Sequence, residues 1–466
     1  MTNKYRYKIL FITALFLFAR DTQVVAQVNK RPNVILILVD DLGWSCFSSK
    51  ADQLLNESKS DFHETPNIDK LASQSIRFTR GYSSDPICTP ARRSIQFGQS
   101  SIRQGDESFQ QNYQPAVSTN KTIPQVLKAF DNRYQTAHFG KWDLRAKILP
   151  EQLGYDESDG DTGNKNGDKV TDKEEKWNQH YITVNPKQMD SITVRSIRFM
   201  KKQVQANTPF YLQVSHYATH VNTETNQASY EKFLAKDKGK KHDNPAWAGM
   251  INDLDTRIGL LLKEVEQLGI SDNTYIFLLA DNGAVEFIPP VSNRLDPPAS
   301  FDHLMRNYPL RGGKWTLYEG GIRVPFMIRG PGIKAGIQTD EPAIGWDILP
   351  TINELVGNKN KPNANIDGGS LVPLIKNQGQ GKVERLSKDL YFHRYNNGYP
   401  HSAIISENYK LIKFWKTKKI ELFNIKDDLG EVKEISKLEP ELSNQLEAKL
   451  LKYMESVNPD LTKRYL

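Results

Sequence analysis

Residues 32–41 read Pro-Asn-Val-Ile-Leu-Ile-Leu-Val-Asp-Asp, a continuous apolar run that ends in two carboxylates. An apolar run without interspersed polar residues is typical of a strand buried on both faces, as in a parallel sheet. Residues 274–283 repeat this pattern, and residues 209–215 form a third run that ends near His220. Between those two runs, residues 250–268 carry apolar side chains at helical spacing. Strands that alternate with helices predict an α/β fold with a mostly parallel central sheet sandwiched by helices.

The carboxyl ends of two predicted strands carry oxygen ligands. Asp40 and Asp41 follow the first strand, and Asp281 and Asn282 follow the strand over residues 274–280. In open parallel sheets, the carboxyl ends of the strands converge on one crevice. A single Asp after a strand is also a common helix cap, but two adjacent carboxylates need a cation to offset their repulsion. Carboxylate and amide oxygens predict one bound Ca²⁺, with Mg²⁺ as the alternative, rather than zinc.

The character of the sequence changes after Leu374. Residues 377–381 read Asn-Gln-Gly-Gln-Gly, which is typical of a flexible linker. Short alternating strand patterns and a final helical pattern follow this segment. They predict a main domain over residues 27–376 and a smaller C-terminal α+β subdomain over residues 377–466, in which a short antiparallel sheet packs with a helix.

The first 26 residues have the pattern of a signal peptide. A basic start at Lys4, Arg6 and Lys8 precedes an apolar run over residues 9–19, and small residues before Gln27 suit cleavage. The apolar run is short for a helix that spans a bilayer, so an uncleaved membrane anchor is the less favoured alternative. We expect export to the periplasm or the medium, with no membrane contact after cleavage.

The charge balance gives a weaker indication of partners. The formal net charge is +7, of which residues 1–26 contribute four basic and one acidic side chain, so the remainder carries +4 (7 − 4 + 1). This mild excess suits a polyanionic partner. The sequence shows no nucleic-acid-binding motif, and the expected export also argues against such a partner.

Residues 155–177 are polar, with mixed charges and several glycines, which predicts a solvated surface insertion. Oxygen-bearing side chains within it follow the spacing of a calcium loop, at Asn164, Asn166, Asp168, Asp172 and Glu175. Lys169 stands where such a loop has glycine for its sharp turn. This departure favours a plain surface loop over an ion site.

Residues 88–92 read Cys-Thr-Pro-Ala-Arg, and further motifs accompany this segment in order along the chain. They are Asp40-Asp41-Leu42-Gly43, Thr65-Pro66-Asn67-Ile68-Asp69, Gly140-Lys141-Trp142, Ala218-Thr219-His220, Asp281-Asn282-Gly283, Gly313-Lys314 with Glu319-Gly320-Gly321-Ile322-Arg323-Val324-Pro325, Asp347-Ile348-Leu349-Pro350-Thr351 and Asp367-Gly368-Gly369-Ser370-Leu371. Together they resemble the formylglycine-dependent (type I) sulfatases of the alkaline-phosphatase superfamily. The resemblance extends from Arg31 into the C-terminal subdomain. The match is poorer at residues 96–99, where Gln-Phe-Gly-Gln replaces an aliphatic residue, Thr, Gly and Arg.

This resemblance implies that a maturation enzyme oxidises Cys88 to formylglycine. In the family the hydrated aldehyde presents two geminal hydroxyls, one that attacks sulfur and one whose deprotonation later expels sulfate. The resemblance also implies that residue 88 joins the metal ligands, which are Asp40, Asp41, Asp281 and Asn282.

The same resemblance implies roles for the basic residues of the motifs. Lys141 and Lys314 are expected to bind the sulfate oxygens, and Arg92 is expected to orient residue 88 rather than bind substrate. His220 is expected to act as the general acid for the leaving alcohol, with Lys314 as a possible helper. His216 shares the local sequence, so the position within the motif carries this choice.

Asp143 is the sharpest departure from the family pattern. The family has His two residues after the Gly-Lys lysine, and it has Gly where this chain has Arg145. That His helps to activate the hydrated aldehyde. Asp143 therefore either takes over as the base, contacts the substrate while another residue is the base, or marks weakened activity.

Two other classes of function compete with a sulfatase. A phosphohydrolase of the same superfamily usually has Ser or Thr as nucleophile and two zinc ions, whereas here Cys88 and Asn282 occupy the positions of that nucleophile and of a zinc-binding His. A catalytically weakened homologue that only binds glycans is supported by Asp143 alone.

Export and a sulfatase-like core together favour a sulfated polysaccharide or oligosaccharide as substrate. His393 and Arg394, at the start of the C-terminal subdomain, are candidates for binding sugar hydroxyls or carboxylates, although a structural role is the alternative. Cys46, the second of two cysteines, is expected to be a small buried residue.

Overall fold

The computed structural model describes residues 31–105, 120–145, 147–169, 179–286, 304–395 and 398–465. The predicted signal peptide over residues 1–26 lies outside the described residues. No helix in the described ranges has both the length and the apolar character needed to cross a bilayer.

The strands and helices are numbered in chain order. The strands are β1 (Asn33–Val39), β2 (Ile76–Phe78), β3 (Gly81–Tyr82), β4 (Gln135–Gly140), β5 (Glu157–Ser158), β6 (His180–Ile182), β7 (Phe210–Ser215), β8 (Thr223–Thr225), β9 (Thr274–Ala280), β10 (Phe326–Arg329), β11 (Ile337–Thr339), β12 (Ala343–Ile344), β13 (Leu390–Arg394), β14 (His401–Ser406), β15 (Tyr409–Phe414) and β16 (Ile420–Asn424). The helices are α1 (Pro66–Ser73), α2 (Cys88–Phe97), α3 (Ser101–Gln104), α4 (Ile123–Phe130), α5 (Asn164–Gly167), α6 (Met189–Gln205), α7 (Gln227–Leu234), α8 (Pro245–Gln267), α9 (Glu319–Ile322), α10 (Ile348–Leu355), α11 (Val372–Lys376), α12 (Pro440–Val457) and α13 (Pro459–Tyr465).

An eight-stranded sheet forms the centre of the fold, in the order β11-β2-β10-β9-β1-β7-β4-β5. Strands β9, β1, β7, β4 and β5 run parallel, as do β11 and β2, while β10 is antiparallel to both its neighbours. The three apolar runs of the sequence are β1, β7 and β9, and they lie side by side with β1 in the middle. The predicted mostly parallel central sheet is therefore confirmed.

Side chains alternate along β1 and so enter two separate hydrophobic cores. The odd-numbered residues from Ile35 to Val39 pack with side chains of α1, α6 and α8 on one face. The even-numbered residues from Val34 to Leu38 pack with side chains of α2, α4 and α10 on the other. Because helices cover both faces, every residue of β1 is buried. Each such aliphatic side chain contributes about 1.5–3 kcal/mol to folding through its burial.

The helix predicted over residues 250–268 is α8. It begins earlier than predicted, at Pro245, because the side chain of Asn244 accepts a hydrogen bond from the backbone N–H of Trp247 and caps the helix. Its apolar stripe, which includes Met250, Leu254 and Ile258, lies in the core against β1.

The C-terminal residues form a second sheet, in the order β13-β14-β15-β16, with antiparallel pairing throughout. One face packs against Leu446 and Leu450 of α12, and the other packs against Tyr82 and Trp346 from earlier in the chain. The predicted α+β character of this region is therefore confirmed. Residues Arg31–Leu466 form one compact unit, and the predicted boundary at residue 377 stays a prediction.

Candidate active site

The carboxyl ends of β1 and β9 bring polar side chains together. The last residues of these parallel strands, Val39 and Ala280, pair in register, so the segments that begin with Asp40 and Asp281 start side by side. Asp41 has a positive φ of 56°, a left-handed conformation that Asp adopts more readily than most residues. This conformation interrupts the alternation of the strand and lets both adjacent carboxylates face one cluster.

The cluster has the donor set of a hard divalent cation. Asp40, Asp41, Cys88 and Asp281 are buried, and each places one possible ligand atom within 4.8 Å of the others. The Nδ2 atom of Asn282 donates to Asp41 Oδ1 at 2.7 Å, while its buried Oδ1 has no hydrogen-bond partner. A buried amide oxygen is costly to leave unpaired. Carboxylate and amide oxygens are what Ca²⁺ and Mg²⁺ prefer, so these residues fit such an ion.

The electrostatics of the cluster agree with a cation site. Burial by itself raises the pKa of Asp40, but neighbouring positive charges, with Lys141 first among them, outweigh it and hold this pKa well below its usual value. Burial and the charge of Asp40 raise the pKa of Asp281 to about 7. A bound divalent cation stabilises the ionised form of carboxylates that contact it, which removes this conflict between like charges.

Cys88 is the first residue of α2 and points into the carboxylate cluster. Its Sγ lies 3.2 Å from Asp40 Oδ1 and 3.7 Å from Asp41 Oδ1. Burial, followed by the charges of Asp281 and Asp40, raises the pKa of the Cys88 thiol well above its usual value. The thiolate form is therefore not favoured at this position. Cys46 is also a buried free cysteine, and its Sγ contacts the carbonyl oxygen of Arg306 at 3.2 Å, as expected for a packing residue.

Arg92 lies four residues after Cys88 and so on the same face of α2. Its Nε and Nη2 both lie 2.7 Å from Asp281 Oδ2, and its Nη1 donates to the carbonyl oxygen of Lys141 at 2.5 Å. These contacts attach α2 to a candidate metal ligand and to the loop after β4. The predicted orienting effect of Arg92 on residue 88 stays a prediction.

Lys141 enters the cluster where β4 ends. Its Nζ donates to Asp40 Oδ2 at 2.6 Å, and this carboxylate raises the pKa of Lys141 well above its usual value although burial opposes the shift. Gly140 has a φ of 97°, and a Cβ atom there would stand 1.9 Å from the carbonyl oxygen of Ser215. Glycine is therefore required before this lysine, because the chain turns left-handed in close contact with β7.

Lys314 follows β9 in the chain, and its side chain enters the same cluster. Its Nζ lies 2.8 Å from Asp41 Oδ2 and 3.4 Å from Cys88 Sγ. Its backbone N–H donates to the carbonyl oxygen of Ala284 at 3.0 Å, which joins the loop of Lys314 to the segment that follows Asn282. The two lysines thus place ammonium groups beside Asp40 and Asp41, where an anionic substrate group can exchange contacts with them.

His220 presents one edge of its ring to the cluster, with Nε2 3.8 Å from Asp41 Oδ2. Its other nitrogen, Nδ1, lies 2.6 Å from the carbonyl oxygen of Val221 and 3.3 Å from Asp168 Oδ1. Burial, and then the charge of Lys314, lower the pKa of His220. His216 is also buried, and burial lowers its pKa to about 4. The structure therefore brings His220 to the cluster as the sequence motif predicts.

Asp143 lies beside the cluster on the side of α2. Its Oδ2 accepts a hydrogen bond from Thr89 Oγ1 at 3.2 Å and lies 3.7 Å from Lys141 Nζ. Its Oδ1 lies 3.8 Å from Arg145 Nε. Asp143 and Arg145 both have positive φ values, 49° and 57°. Because Thr89 directly follows Cys88, this hydrogen bond connects Asp143 to the residue next to the nucleophile position.

The sequence interpretation assigned no role at the active site to three nearby residues, namely Thr89, Asp168 and Lys187. Thr89 occupies a position of the Cys-x-Pro-x-Arg motif at which the pattern specifies no residue type. Asp168 falls in the segment predicted to be solvated, yet its side chain is 2% exposed beside a fully buried Lys187. The prediction of a solvated insertion is therefore wrong at Asp168, because the buried ammonium group of Lys187 takes the place of water. No pattern marked Lys187.

The predicted features of the insertion are only partly within the described residues. Asn164 and Asn166 belong to the short helix α5, Asn164–Gly167. Asp168 contacts Lys187 and His220. Asp172 and Glu175 lie outside the described residues.

His393 and Arg394 lie in β13, and both are buried. His393 Nδ1 lies 2.7 Å from Ser402 Oγ on the paired strand β14. Burial lowers the pKa of His393 well below its usual value. These contacts belong to the C-terminal sheet, and a role of either residue in binding sugar stays a prediction.

The carboxyl edge of this parallel sheet can hold an anionic ester between a cation and two ammonium groups, beside a residue placed to attack it. That chemistry belongs to the metal-dependent hydrolases of the alkaline-phosphatase superfamily. Residues 32–358 match the family described as Sulfatase, and residues 313–458 match the family described as N-sulphoglucosamine sulphohydrolase, C-terminal. The chain belongs to the sulfatase family and is a sulfuric ester hydrolase.

The similar proteins match most of the chain. A sulfatase from Formosa agariphila is 24% identical, and the match covers 97% of this chain and 94% of that protein. The N-acetylgalactosamine-6-sulfatase of Mus musculus is 27% identical, and the match covers 83% of this chain and 72% of that protein. The solved structure of Ps i-CgsB in complex with k-i-k-neocarrahexaose is 25% identical, has a TM-score of 0.72, and covers 91% of this chain and 93% of that one.

Proposed function

We propose that this protein releases sulfate from a sulfated polysaccharide or oligosaccharide, using a formylglycine formed from Cys88. The observation that carries the proposal is the placement of Cys88 Sγ, 3.2 Å from Asp40 Oδ1 and 3.4 Å from Lys314 Nζ. A side chain at this point contacts the candidate metal ligands and a sulfate-binding ammonium group together. When formed and hydrated, the formylglycine would supply two geminal hydroxyl groups, one of which can attack sulfur.

The chain's own residues provide binding and proton transfer around that position. Lys141 and Lys314 hold two of the sulfate oxygens, and their charge stabilises the negative charge of the transition state. His220 Nε2 gives a proton to the leaving alcohol, and the negative charge of a bound sulfate ester favours the protonated ring that this step needs. Asp143, which accepts a hydrogen bond from Thr89, is a candidate to take up a proton near residue 88.

The saccharide substrate is supported by the similar proteins. One of them is named for a sulfated amino sugar, N-acetylgalactosamine 6-sulfate, and a solved relative holds an oligosaccharide, k-i-k-neocarrahexaose. The charge of +4 that remains beyond residue 26 is compatible with a polyanionic chain of this kind. His393 and Arg394 are the candidates for contacts with sugar hydroxyls or carboxylates at the start of the C-terminal subdomain.

A single Ca²⁺ bound by Asp40, Asp41, Asp281 and Asn282 completes the proposal, together with residue 88. The donors of these four residues are oxygen atoms, and the unpartnered Oδ1 of Asn282 would gain a partner by ligating the ion. Bound Ca²⁺ would supply Lewis-acid polarisation of the sulfate group. The same donor set argues against the two-zinc phosphohydrolase, since the potential metal ligands that group together among the described residues are three carboxylates and a thiol, without a His.

We also propose export through the signal peptide over residues 1–26 and processing of Cys88 by a formylglycine-generating maturation enzyme. The basic and apolar pattern of these residues supports export, and the Cys-Thr-Pro-Ala-Arg segment supports maturation. N-terminal sequencing of protein recovered outside the cytoplasm is expected to begin at Gln27. A protein that retains residues 1–26 in the membrane fraction would point to the uncleaved anchor.

The function is tested by measuring sulfate release from a panel of sulfated saccharides of defined structure. The protein is produced together with a formylglycine-generating enzyme, and the Cys88→Ala variant is the matched control. We expect the unaltered protein to release sulfate from at least one saccharide and the variant to release none. Turnover of phosphate esters with no turnover of any sulfate ester would favour the phosphohydrolase, and absence of turnover on both would favour the weakened glycan-binding homologue.

A further inference from the structure

The ring of His220 is fixed by two acceptors on the side that faces away from the carboxylate cluster. Its Nδ1 lies 2.6 Å from the carbonyl oxygen of Val221 and 3.3 Å from Asp168 Oδ1. A carbonyl oxygen and a carboxylate oxygen only accept hydrogen bonds, so Nδ1 carries a proton. Nε2, which faces Asp41 at 3.8 Å, is therefore the nitrogen that is available to exchange a proton with a substrate.

Asp168 is held in turn by a buried ion pair. Lys187 Nζ lies 3.1 Å from the same Oδ1 atom that faces His220, and 3.7 Å from Glu224 Oε1. The side chains of Lys187 and Asp168 are 0% and 2% exposed, so water does not screen this contact appreciably. Glu224 accepts hydrogen bonds from the backbone N–H groups of Lys187 at 3.1 Å and Lys169 at 3.0 Å. The network gives Asp168 little freedom to rotate.

We propose that Asp168 is a positioning residue for His220: together with the carbonyl oxygen of Val221, it fixes the tautomer and the orientation of the ring so that Nε2 faces the leaving-group oxygen. Lys187 and Glu224 hold Asp168 in the position that this role requires. The inference rests on the proposed function, in which His220 protonates the leaving alcohol. A carboxylate behind the second nitrogen of a histidine generally sets its tautomer and increases its basicity. The competing explanation is that Asp168 only neutralises the buried charge of Lys187.

The test compares two substrates that differ in their need for a proton. An alkyl or saccharide sulfate has a poor leaving group that must be protonated, whereas 4-nitrophenyl sulfate has a leaving group that departs as the anion. In Asp168→Asn we expect kcat on the saccharide sulfate to fall by about 10–100-fold, as is typical for loss of a residue that supports a functional histidine. On the aryl sulfate we expect a loss of about threefold or less, with KM nearly unchanged on both.

The matched control is Asp255→Asn. Asp255 is another buried aspartate, and it accepts a hydrogen bond from the backbone N–H of Ile68 at 2.8 Å, between α1 and α8. This variant also loses a buried carboxylate and is expected to keep the wild-type ratio of the two activities. An equal loss on both substrates in a correctly folded Asp168→Asn variant would overturn the positioning role.

His220→Ala separates failure of this inference from failure of the proposed function. We expect His220→Ala to show the same selective loss, and Asp168→Asn to add little to it in the double variant, because the two residues act as a unit. If His220→Ala harms both substrates equally, the general-acid role is wrong. If His220→Ala is selective and Asp168→Asn is not, the positioning role alone is wrong.

A second substitution covers the case in which Asp168→Asn does not fold. Asp168→Glu keeps a negative charge opposite Lys187 but moves the carboxylate by one methylene group. We expect this variant to fold and to show a smaller selective loss on the saccharide sulfate. A folded Asp168→Glu with an unchanged ratio of activities would count against the positioning role.

Discussion

Lys314 Nζ lies 3.4 Å from Cys88 Sγ and 2.8 Å from Asp41 Oδ2. One buried ammonium group therefore contacts both the residue that would supply the nucleophile and a carboxylate of the candidate metal site. An incoming sulfate group must compete with Asp41 for this ammonium group. A cation bound to Asp41 would neutralise part of the carboxylate charge, and Lys314 could then contact the anion.

Cys88 is expected to be converted to formylglycine in protein produced with the maturation enzyme, because it lies in the Cys-Thr-Pro-Ala-Arg segment. Mass spectrometry of the peptide that contains residue 88 should show the aldehyde in place of the thiol. Cys46, the other buried cysteine, is the internal control and should remain a thiol. Full activity of protein that retains the thiol at residue 88 would contradict the mechanism.

Calcium is expected to bind at one ion per chain and to stabilise the folded protein. Free Ca²⁺ at about 100 times its Kd should add about 2.7 kcal/mol to the free energy of unfolding. In Asp281→Asn, which keeps the shape of the side chain but removes a ligand charge, we expect this stabilisation and the sulfatase activity to be lost. Elemental analysis and thermal unfolding with added Ca²⁺ measure both effects.

The control for the calcium experiment is Asp255→Asn, the same change at a buried carboxyl group outside the cluster. This variant should retain the rise in melting temperature on addition of Ca²⁺. Two zinc ions per active chain would contradict the calcium site and favour a phosphohydrolase. An undiminished calcium response in Asp281→Asn would remove Asp281 from the ligand set.

Acid is expected to destabilise the protein through buried histidines such as His401. The Nε2 of His401 accepts a hydrogen bond from the backbone N–H of Leu317 at 3.2 Å, and its Nδ1 lies 2.8 Å from the carbonyl oxygen of Tyr399. These partners select the neutral ring, and burial lowers the pKa of His401 to about 3. The folded pKa is below the unfolded value of about 6.5, so the contribution to stability is present above pH 6.5 and is lost as the pH falls toward 3.

The difference between the folded and unfolded pKa of His401 makes the free energy of unfolding depend measurably on pH. Between pH 7 and pH 5, the unfolded state binds a proton at this position and the folded state does not, which lowers the free energy of unfolding by about 2 kcal/mol. We expect urea unfolding of His401→Gln to show a smaller loss of unfolding free energy than wild type between pH 7 and pH 5, by about the same 2 kcal/mol. The exposed His180 provides the control, since His180→Gln should keep the wild-type dependence. Identical slopes in wild type and His401→Gln would show that His401 takes no part.

The fold could be predicted because its central strands are buried on both faces. This burial leaves an unbroken apolar run in β1, and the polar residues that follow the run mark the end of the strand. The carboxylates that follow β1 and β9 could be predicted in the same way, because parallel strands present their carboxyl ends at one edge of the sheet. Cys88, Arg92 and the basic residues of the site depend instead on the resemblance of their motifs to a known family, and the helix α2 that begins at Cys88 was not predicted.

The support behind His220 could not be predicted in this way. Asp168 and Lys187 are 19 residues apart, and their contact at 3.1 Å arises from tertiary packing that no local pattern encodes. A charged residue in a polar, glycine-containing segment is normally solvated. The burial of Asp168 follows only from the burial of an opposite charge beside it.

Asp143 replaces the histidine of the family pattern. At neutral pH a carboxylate accepts a proton but is a poor donor, so Asp143 can replace such a histidine as a base and not as an acid. Its Oδ2 lies 3.7 Å from Lys141 Nζ. Thr89 Oγ1 donates to the same atom at 3.2 Å, which orients it beside residue 88.

Asp143→Asn keeps the size of the side chain and removes its basicity. If Asp143 is the base, kcat should fall by about 10²–10⁴-fold on aryl and saccharide sulfates alike, because expulsion of sulfate follows departure of either alcohol. This equal loss contrasts with the selective loss expected for His220→Ala. Thr89→Val is the companion variant: it removes the hydrogen bond but keeps the carboxylate, and it should lower both rates by a smaller factor. If Asp143→Asn turns over aryl sulfate normally and raises only KM for the saccharide, Asp143 contacts the sugar, and the base is another residue.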